Sequence, residues 1–250
     1  MFTRTSAKAL TKSGLKHGLV GLIALTALQA HAEFQCSAKP QDDIVIKPQT
    51  VQVVGASGNL LISPNGDLTQ NGKAVSLTAK QRQEAIDYQA ALRRDLPWID
   101  QGAKAHLEKA RVAMDGVIVK QLGADSNVRN RLTTLDGQLK QQMNRIIEHR
   151  SDGLTFHHQA IDKVQQDGQH LVEQTMGGVM QDSMNEMGTR QVTSGGNPLQ
   201  AMMSNLGGLQ QAVQAEWKRQ QSEFEGFGHS VCNRVTSLEE QRRELLADIK

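Results

Sequence analysis

The pattern of apolar and polar positions changes once along the chain, near Thr78. The short apolar runs before Thr78 are Ile44–Ile46, Val51–Val54, Leu60–Ile62 and Ala74–Leu77. Turn signals separate them at Pro64–Asp67 and Asn71–Gly72, because Asn and Gly tolerate the positive φ that tight hairpins require. The pattern therefore predicts a small antiparallel β meander within residues 33–77, too small to be stable without packing on the rest of the chain.

From Thr78 onward, apolar residues recur at three- and four-residue steps, which is typical of amphipathic helices. Thr78 and Gln81 form a capping-box pair at the start of the first helix. Pro97 predicts a break or kink, because proline lacks the amide hydrogen that a helix interior uses. A second helix is predicted over residues 98–122, ending at Gly123.

Three further helices are predicted. The third covers residues 125–150, and the fourth lies between Gly153 and the flexible break at residues 188–196. The last helix runs from Pro198 almost to Lys250. Its apolar positions, close to a heptad rhythm, are Leu206, Leu209, Val213, Trp217, Phe224, Phe227, Val231, Val235, Leu238 and Leu245. The predicted fold class is mainly α: an antiparallel long-helix bundle over 78–250, packed as one unit with the N-terminal antiparallel β meander.

Residues 1–32 have the layout of a secretory signal peptide. A basic stretch precedes the apolar run Gly18–Leu28, which is followed by the small-residue triplet Ala30–Ala32. The run is shorter than the roughly 20 residues of a spanning helix, so cleavage after Ala32 is predicted and no stable membrane anchor. Cys36 does not directly follow the apolar run, which argues against a lipoprotein.

The basic charge of the whole chain belongs to this leader. Removing the four basic residues of 1–32 from the 28 in the chain leaves 24 against 26 acidic residues, a formal charge of −2 instead of +2. The remaining charges are interleaved, as in residues 239–244, which is typical of a solvated helix face. Nucleic acid is therefore not a predicted partner.

Cys36 and Cys232 predict one disulfide that joins the two ends of the mature chain, since exported proteins meet an oxidising compartment. The rival interpretation is a redox-active thiol pair. It lacks a Cys-x-x-Cys spacing or a basic environment around either thiol.

The densest group of metal-ligating residue types is Glu148, His149, Asp152, His157, His158 and Asp162. His158 and Asp162 are four residues apart, so on one helix they share a face and offer two positions of a zinc site, with His157 beside them. This supports the alternative hypothesis of a metal-dependent hydrolase or metal-handling protein. The simpler interpretation is an exposed helix junction with pH-sensitive histidines. No His-Glu-x-x-His signature is present, and no cofactor is predicted.

Six of the nine methionines lie close together: Met176, Met180, Met184, Met187, Met202 and Met203. The helical spacing of the first four favours a buried core stripe, although flexible thioethers also suit a partner-binding groove or copper(I). The turn Gly55–Gly58 contains Ser57 but matches neither a nucleophile elbow nor a phosphate loop. No catalytic residues are predicted.

Four segments carry a resemblance to a known family: Val51–Leu60, Leu96–Asp100, Ser151–His157 and Ser194–Gln200. On these segments the chain closely resembles the YggN family of uncharacterised periplasmic proteins of gammaproteobacteria. The resemblance implies a periplasmic location and supplies no catalytic residues.

The long amphipathic helices, the methionine segment and the 188–196 break favour a non-enzymatic function. We expect a binding, scaffold or chaperone-like envelope protein. Its predicted partner is an envelope protein or a second copy of the chain.

Overall fold

The computed structural model describes residues 36–191, 198–247 and 249, without the side chains of 189–191 and 198–205. The predicted leader, residues 1–32, and residues 192–197 of the predicted break lie outside the described residues. The strands are β1 Asp42–Lys47, β2 Thr50–Gly55, β3 Gly58–Ile62, β4 Leu68–Gln70, β5 Lys73–Ala74, β6 Ile147–Arg150 and β7 Gly153–Phe156. The helices are α1 Ala79–Leu122, α2 Val128–Ile146, α3 Ala160–Gln191 and α4 Pro198–Ala247.

The strands form one antiparallel sheet in the order β5-β4-β3-β2-β1-β7-β6. Strands β1 to β5 are the predicted meander, and the turn residues Asn71 and Gly72 have the expected positive φ of 51° and 79°. Successive side chains of a strand point to opposite faces, and alternate residues of β1 and β2 such as Ile44 and Val51 are buried. One face of the sheet therefore covers the hydrophobic core.

The prediction of a helix up to Arg150 is wrong. α2 ends at Ile146, and residues 147–156 form the β6–β7 hairpin, which joins the sheet beside β1. Ile147, Leu154 and Phe156 are buried in the same core as β1 to β4. Pairing of β7 with β1, and of β6 with β7, thus buries Ile147, whose spacing also fitted the apolar face of a helix.

The predicted break at Pro97 is also absent, because α1 continues from Ala79 to Leu122 with Pro97 inside it. Packing on α4 holds the helix on both sides of the proline. Leu96 is buried, and Trp98 stacks on Phe227 with ring centroids 5.4 Å apart. The guanidinium of Arg234 lies 3.9 Å from the Trp98 ring centroid, a cation–π contact from the same helix. Tertiary contacts thus outweigh the hydrogen bond that proline removes.

Several other predicted helix boundaries agree with the structure, although the helix predicted from residue 125 begins at Val128. Thr78 and Gln81 form the capping box, and Gly123 ends α1 with a φ of 96°. α4 begins at Pro198 as predicted, while α3 extends to Gln191, beyond the expected end near 188.

The helices run antiparallel to their neighbours, as their ion pairs show. Between α1 and α4, Asp95 binds Arg234 and Lys109 binds Glu223 at 2.6 Å; between α2 and α3, Arg131 binds Asp182 and Arg145 binds Asp167 at 2.7 Å. In both helix pairs the residue number rises along one helix as it falls along the other. No helix within residues 36–191 and 198–249 combines the length and the hydropathy that a membrane span requires. With 50 residues, α4 is about 75 Å long and passes along the whole bundle.

Two hydrophobic cores lie at different levels of the helices. The sheet core joins the sheet to the start of α1 and the end of α4, through residues such as Leu92 and Leu245. The bundle core lies further along the helices and joins all four of them: Met114, Ile118, Leu122, Val128, Leu132, Val179, Met187, Leu209 and Val213. The part of α4 between Val213 and Leu238 contributes no fully buried hydrophobic residue to either core.

The predicted disulfide between Cys36 and Cys232 is present, with Cα atoms 5.5 Å apart. It joins the segment before β1 to α4, at the level where α4 leaves the sheet core. The prediction that the two ends of the chain are held together is confirmed.

The Gly55–Gly58 turn has a structural role in the fold. Asp42 is buried and accepts hydrogen bonds from the Ser57 amide at 2.9 Å and from the Ser57 hydroxyl at 2.7 Å. Arg242 of α4 donates to the Ser57 hydroxyl at 2.6 Å and also to Glu239 at 2.7 Å. Ser57 therefore ties the β2–β3 turn to β1 and α4.

Candidate interaction surface

The histidines at the start of α3 form hydrogen bonds with a carboxylate of β1. His158 Nδ1 lies 2.6 Å from Asp43 Oδ1, and the His158 amide donates to the same oxygen at 3.0 Å. The His157 ring lies between Asp43, at 3.3 Å, and Glu148, at 3.4 Å. Burial alone would raise the pKa of Asp43, but the hydrogen bonds from the histidines outweigh it and lower that pKa. The Arg150 guanidinium lowers the pKa of Glu148.

This geometry corrects the metal hypothesis in one respect. His158 does not share a helix with Asp162, because His158 lies in the turn before Ala160, where α3 begins. The structure brings His157 and His158 to Asp43, which the sequence analysis did not single out. In the described part of the chain, no three His, Cys, Asp or Glu side chains are placed to hold a metal ion together. The cluster links β1 to the β7–α3 junction.

The candidate methionine groove consists of Met176, Met180, Met184, Met187, Met202 and Met203, and the side chains of the last two lie outside the described residues. Met187 is buried in the bundle core, and Met176 is partly buried and packs against that core. Met184 is 46% exposed. The segment thus contributes side chains to the core and leaves part of its surface open, while partner binding by these methionines stays a prediction.

The exposed large hydrophobic side chains among the described residues are Val54, Leu61, Val112, Met184, Trp217 and Phe224. The two aromatic ones lie seven residues apart on α4, Trp217 with 37% and Phe224 with 38% of its surface exposed. Seven residues are two helical turns, so these rings are on the same side of α4. We call residues 214–228 the α4 midsection.

The heptad rhythm of the sequence predicts that Trp217 and Phe224 continue the seam of α4 after Val213. The structure buries Val213 as predicted, but next along α4 it buries Glu216 and Gln220 and leaves both aromatic rings partly exposed. Both rings lie beside these buried positions, on a part of the helix surface that α1 does not cover fully. The physical reason is that neither hydrophobic core extends to this level of α4.

A stack of rings connects the α4 midsection to α1. The His106 ring of α1 lies 5.8 Å from the Phe224 ring and 4.8 Å from the Phe227 ring, measured between centroids. Phe227 also lies against Gly102, where an added Cβ would stand 2.5 Å from the nearest ring carbon. Glycine at position 102 therefore allows α4 to approach α1 closely.

We expect Gly102→Ala to lower the free energy of unfolding by about 2 kcal/mol, because the Phe227 ring must move to admit the methyl group. Alanine normally stabilises a helix relative to glycine by about 1 kcal/mol. Gly116→Ala on the same helix is the matched control, since no atom lies within 4 Å of its added Cβ. Urea unfolding of both variants measures the difference. Equal stabilisation by both substitutions would contradict the contact between Gly102 and Phe227.

The fold and this surface define a class: a disulfide-bonded, mainly α protein with a seven-stranded antiparallel sheet packed on a bundle of long helices. Residues 36–250 match the family described as "Protein of unknown function (DUF2884)". The chain belongs to this family.

Proteins of Escherichia coli are similar to the chain over nearly its whole length. The protein named "Uncharacterized protein YggN" of strain K12 is 56% identical over 233 residues, which cover 93% of this chain and 98% of that protein. The proteins of the same name in E. coli O6:H1 and O157:H7 match to the same extent. The resemblance to the YggN family is thus confirmed. No solved structure matches the chain.

Proposed function

We propose that this protein is a non-enzymatic binding or scaffold protein of the bacterial periplasm, and that it contacts another protein chain through the α4 midsection. The leader pattern of residues 1–32 and the Cys36–Cys232 disulfide support export into an oxidising compartment.

The observation that carries the proposal is the exposure of Trp217 and Phe224 on one side of α4. Trp is among the residues that contribute most to protein–protein binding energy, because its large ring buries much apolar surface at low entropic expense. Phe224 adds a second ring two turns away. Stacking of Phe224 on His106 restricts the ring, so less side-chain entropy is lost on binding.

In-cell crosslinking tests the proposal. A photo-reactive residue replaces Gln214 or Gln221 in the full-length protein, and Leu61 on the sheet is the matched control because its exposure, 38%, equals that of Phe224. We expect discrete adducts from the two α4 positions and none from position 61. A broad series of adducts would assign a chaperone-like form of the same function. Absence of adducts from both α4 positions, or equal adducts from all three positions, would contradict it.

A further inference from the structure

The charges beside Trp217 and Phe224 indicate what the α4 midsection binds. We infer that a second copy of this chain docks there, with its own α4 midsection antiparallel to the first and a two-fold axis near Gln221. The inference rests on the proposed function, because it assigns a partner to the same surface.

The sequence of the midsection is self-complementary. Each of the two exposed aromatic residues is followed by a charged one, Trp217 by Lys218 and Phe224 by Glu225, and the two charges are opposite. In a two-fold interface the same surface meets itself, so each contact occurs twice. An antiparallel pairing about Gln221 places Trp217 of one copy against Phe224 of the other. The same pairing places Lys218 of each copy beside Glu225 of the other.

The helix periodicity keeps these two kinds of contact on separate sides of the interface. Lys218 and Glu225 follow Trp217 and Phe224 by one position each, which is about 100° further round the helix. When two helices pack antiparallel about a two-fold axis, each side of one helix lies next to the same side of the other helix. The rings of the two copies therefore meet on one side of the helix pair, and the opposite charges meet on the other.

The exposure of the side chains fits this arrangement. Lys218 and Glu225 are exposed, and Gln221, half-buried between the rings, donates a hydrogen bond to the Glu225 carboxylate at 3.2 Å. The opposite side of the midsection already binds α1, through Glu223 and its ion pair with Lys109. The second copy therefore approaches a side of α4 that α1 leaves open.

The size of the surface predicts a weak dimer. The midsection covers about 22 Å of helix, which suits the smaller class of interfaces and not an obligate dimer. We expect a dissociation constant of about 10 µM. The reason is that only two aromatic pairs and two ion pairs are available to offset the translational and rotational entropy that the two copies lose on association.

Sedimentation equilibrium of the oxidised mature protein, from about 1 to about 200 µM, measures the association across this range. We expect Trp217→Glu to raise the dissociation constant at least about 100-fold, because a carboxylate replaces the ring in both symmetric contacts. Leu61→Glu on the sheet is the matched control and leaves association unchanged.

The charge pairs give a test that is specific to a second copy. Lys218→Glu alone and Glu225→Lys alone each place like charges together twice, and each is expected to weaken the dimer roughly ten-fold. The double variant K218E/E225K restores opposite charges and returns the dissociation constant to within about three-fold of the parent. An equimolar mixture of the two single variants is expected to form a heterodimer about as tightly as the parent forms its dimer, because both charge pairs of the heterodimer join opposite charges. Each single variant alone forms only homodimers, in which both pairs join like charges.

The outcomes separate this inference from the proposed function. A protein that stays monomeric at all concentrations, or a double variant as weak as the single ones, would overturn the second copy as the partner. Discrete adducts to a different protein at position 221 would still support the proposed function in that case. In a further outcome, the double variant restores the dimer while crosslinking in cells yields only adducts between two copies of this chain. That result would support the inference and would identify the second copy, and not another envelope protein, as the partner.

Discussion

Replacing both cysteines, Cys36→Ser together with Cys232→Ser, is expected to lower the free energy of unfolding by about 5 kcal/mol. The disulfide spans a sequence separation of 196 residues, so the oxidised unfolded chain contains a loop of almost its entire described length. Closing so long a loop lowers the entropy of the unfolded state and so raises its free energy relative to the folded state. The expected loss is a large part of the roughly 5–15 kcal/mol by which a typical domain is stable. Urea unfolding followed by circular dichroism measures it.

The parent protein treated with reductant is the control for this prediction. Its stability should fall to that of the double serine variant, while reductant should leave the variant itself unchanged. A difference of less than about 1 kcal/mol between oxidised and reduced parent protein would show that the loop constraint contributes little. Mass spectrometry after thiol alkylation confirms the redox state of each sample.

Features that depend on a few neighbouring residues were predictable from the sequence. The capping box of Thr78 and Gln81 requires only two side chains and the first turn of the helix. The same holds for the end of α1 at Gly123 and for the start of α4 at Pro198. The positive φ at Gly72 follows from the turn chemistry of Asn-Gly. These signals act within a few residues, so distant packing does not override them.

Features decided by distant parts of the chain were not predictable in this way. Ile146 and Ile147 continue the helical spacing of α2, yet Ile147 begins a strand because the hairpin pairs with β1, far away in sequence. The Asp152–Gly153 dipeptide is a hairpin signal that favours the observed structure. At Pro97 the helix continues because α4 packs on both sides of it. In each case a tertiary contact outweighed the local preference.

The candidate surface was only partly predictable, for a related reason. The heptad rhythm correctly placed Leu209 and Val213 in the bundle core, but it extended the same interpretation to Trp217 and Phe224. Periodicity shows which side of a helix is apolar and not whether a neighbour covers it. An apolar stripe that continues along a helix between two hydrophobic cores is therefore also a signal for a binding surface.

Gly153→Ala is expected to lower the free energy of unfolding by about 3 kcal/mol, the second-largest effect among the predicted variants. Gly153 begins β7 with a φ of 153°, and an added Cβ would overlap the carbonyl oxygen of Ile46 in β1. Ile46 of β1 pairs with Leu154 of β7, so the added methyl group must push β7 away from β1. This pairing is what attaches the β6–β7 hairpin to the rest of the sheet.

Gly137→Ala provides the contrast, since residue 137 lies in α2 with no atom within 4 Å of its added Cβ. That substitution should stabilise the protein by up to about 1 kcal/mol through helix propensity. Urea unfolding gives the two free energies, and amide hydrogen exchange shows whether the protection lost in Gly153→Ala is concentrated in β1 and β7. Similar stabilities for the two variants would mean that the β1–β7 pairing tolerates a side chain at position 153. The hairpin, whose first strand the sequence pattern assigned to a helix, would then be less tightly held than the rest of the sheet.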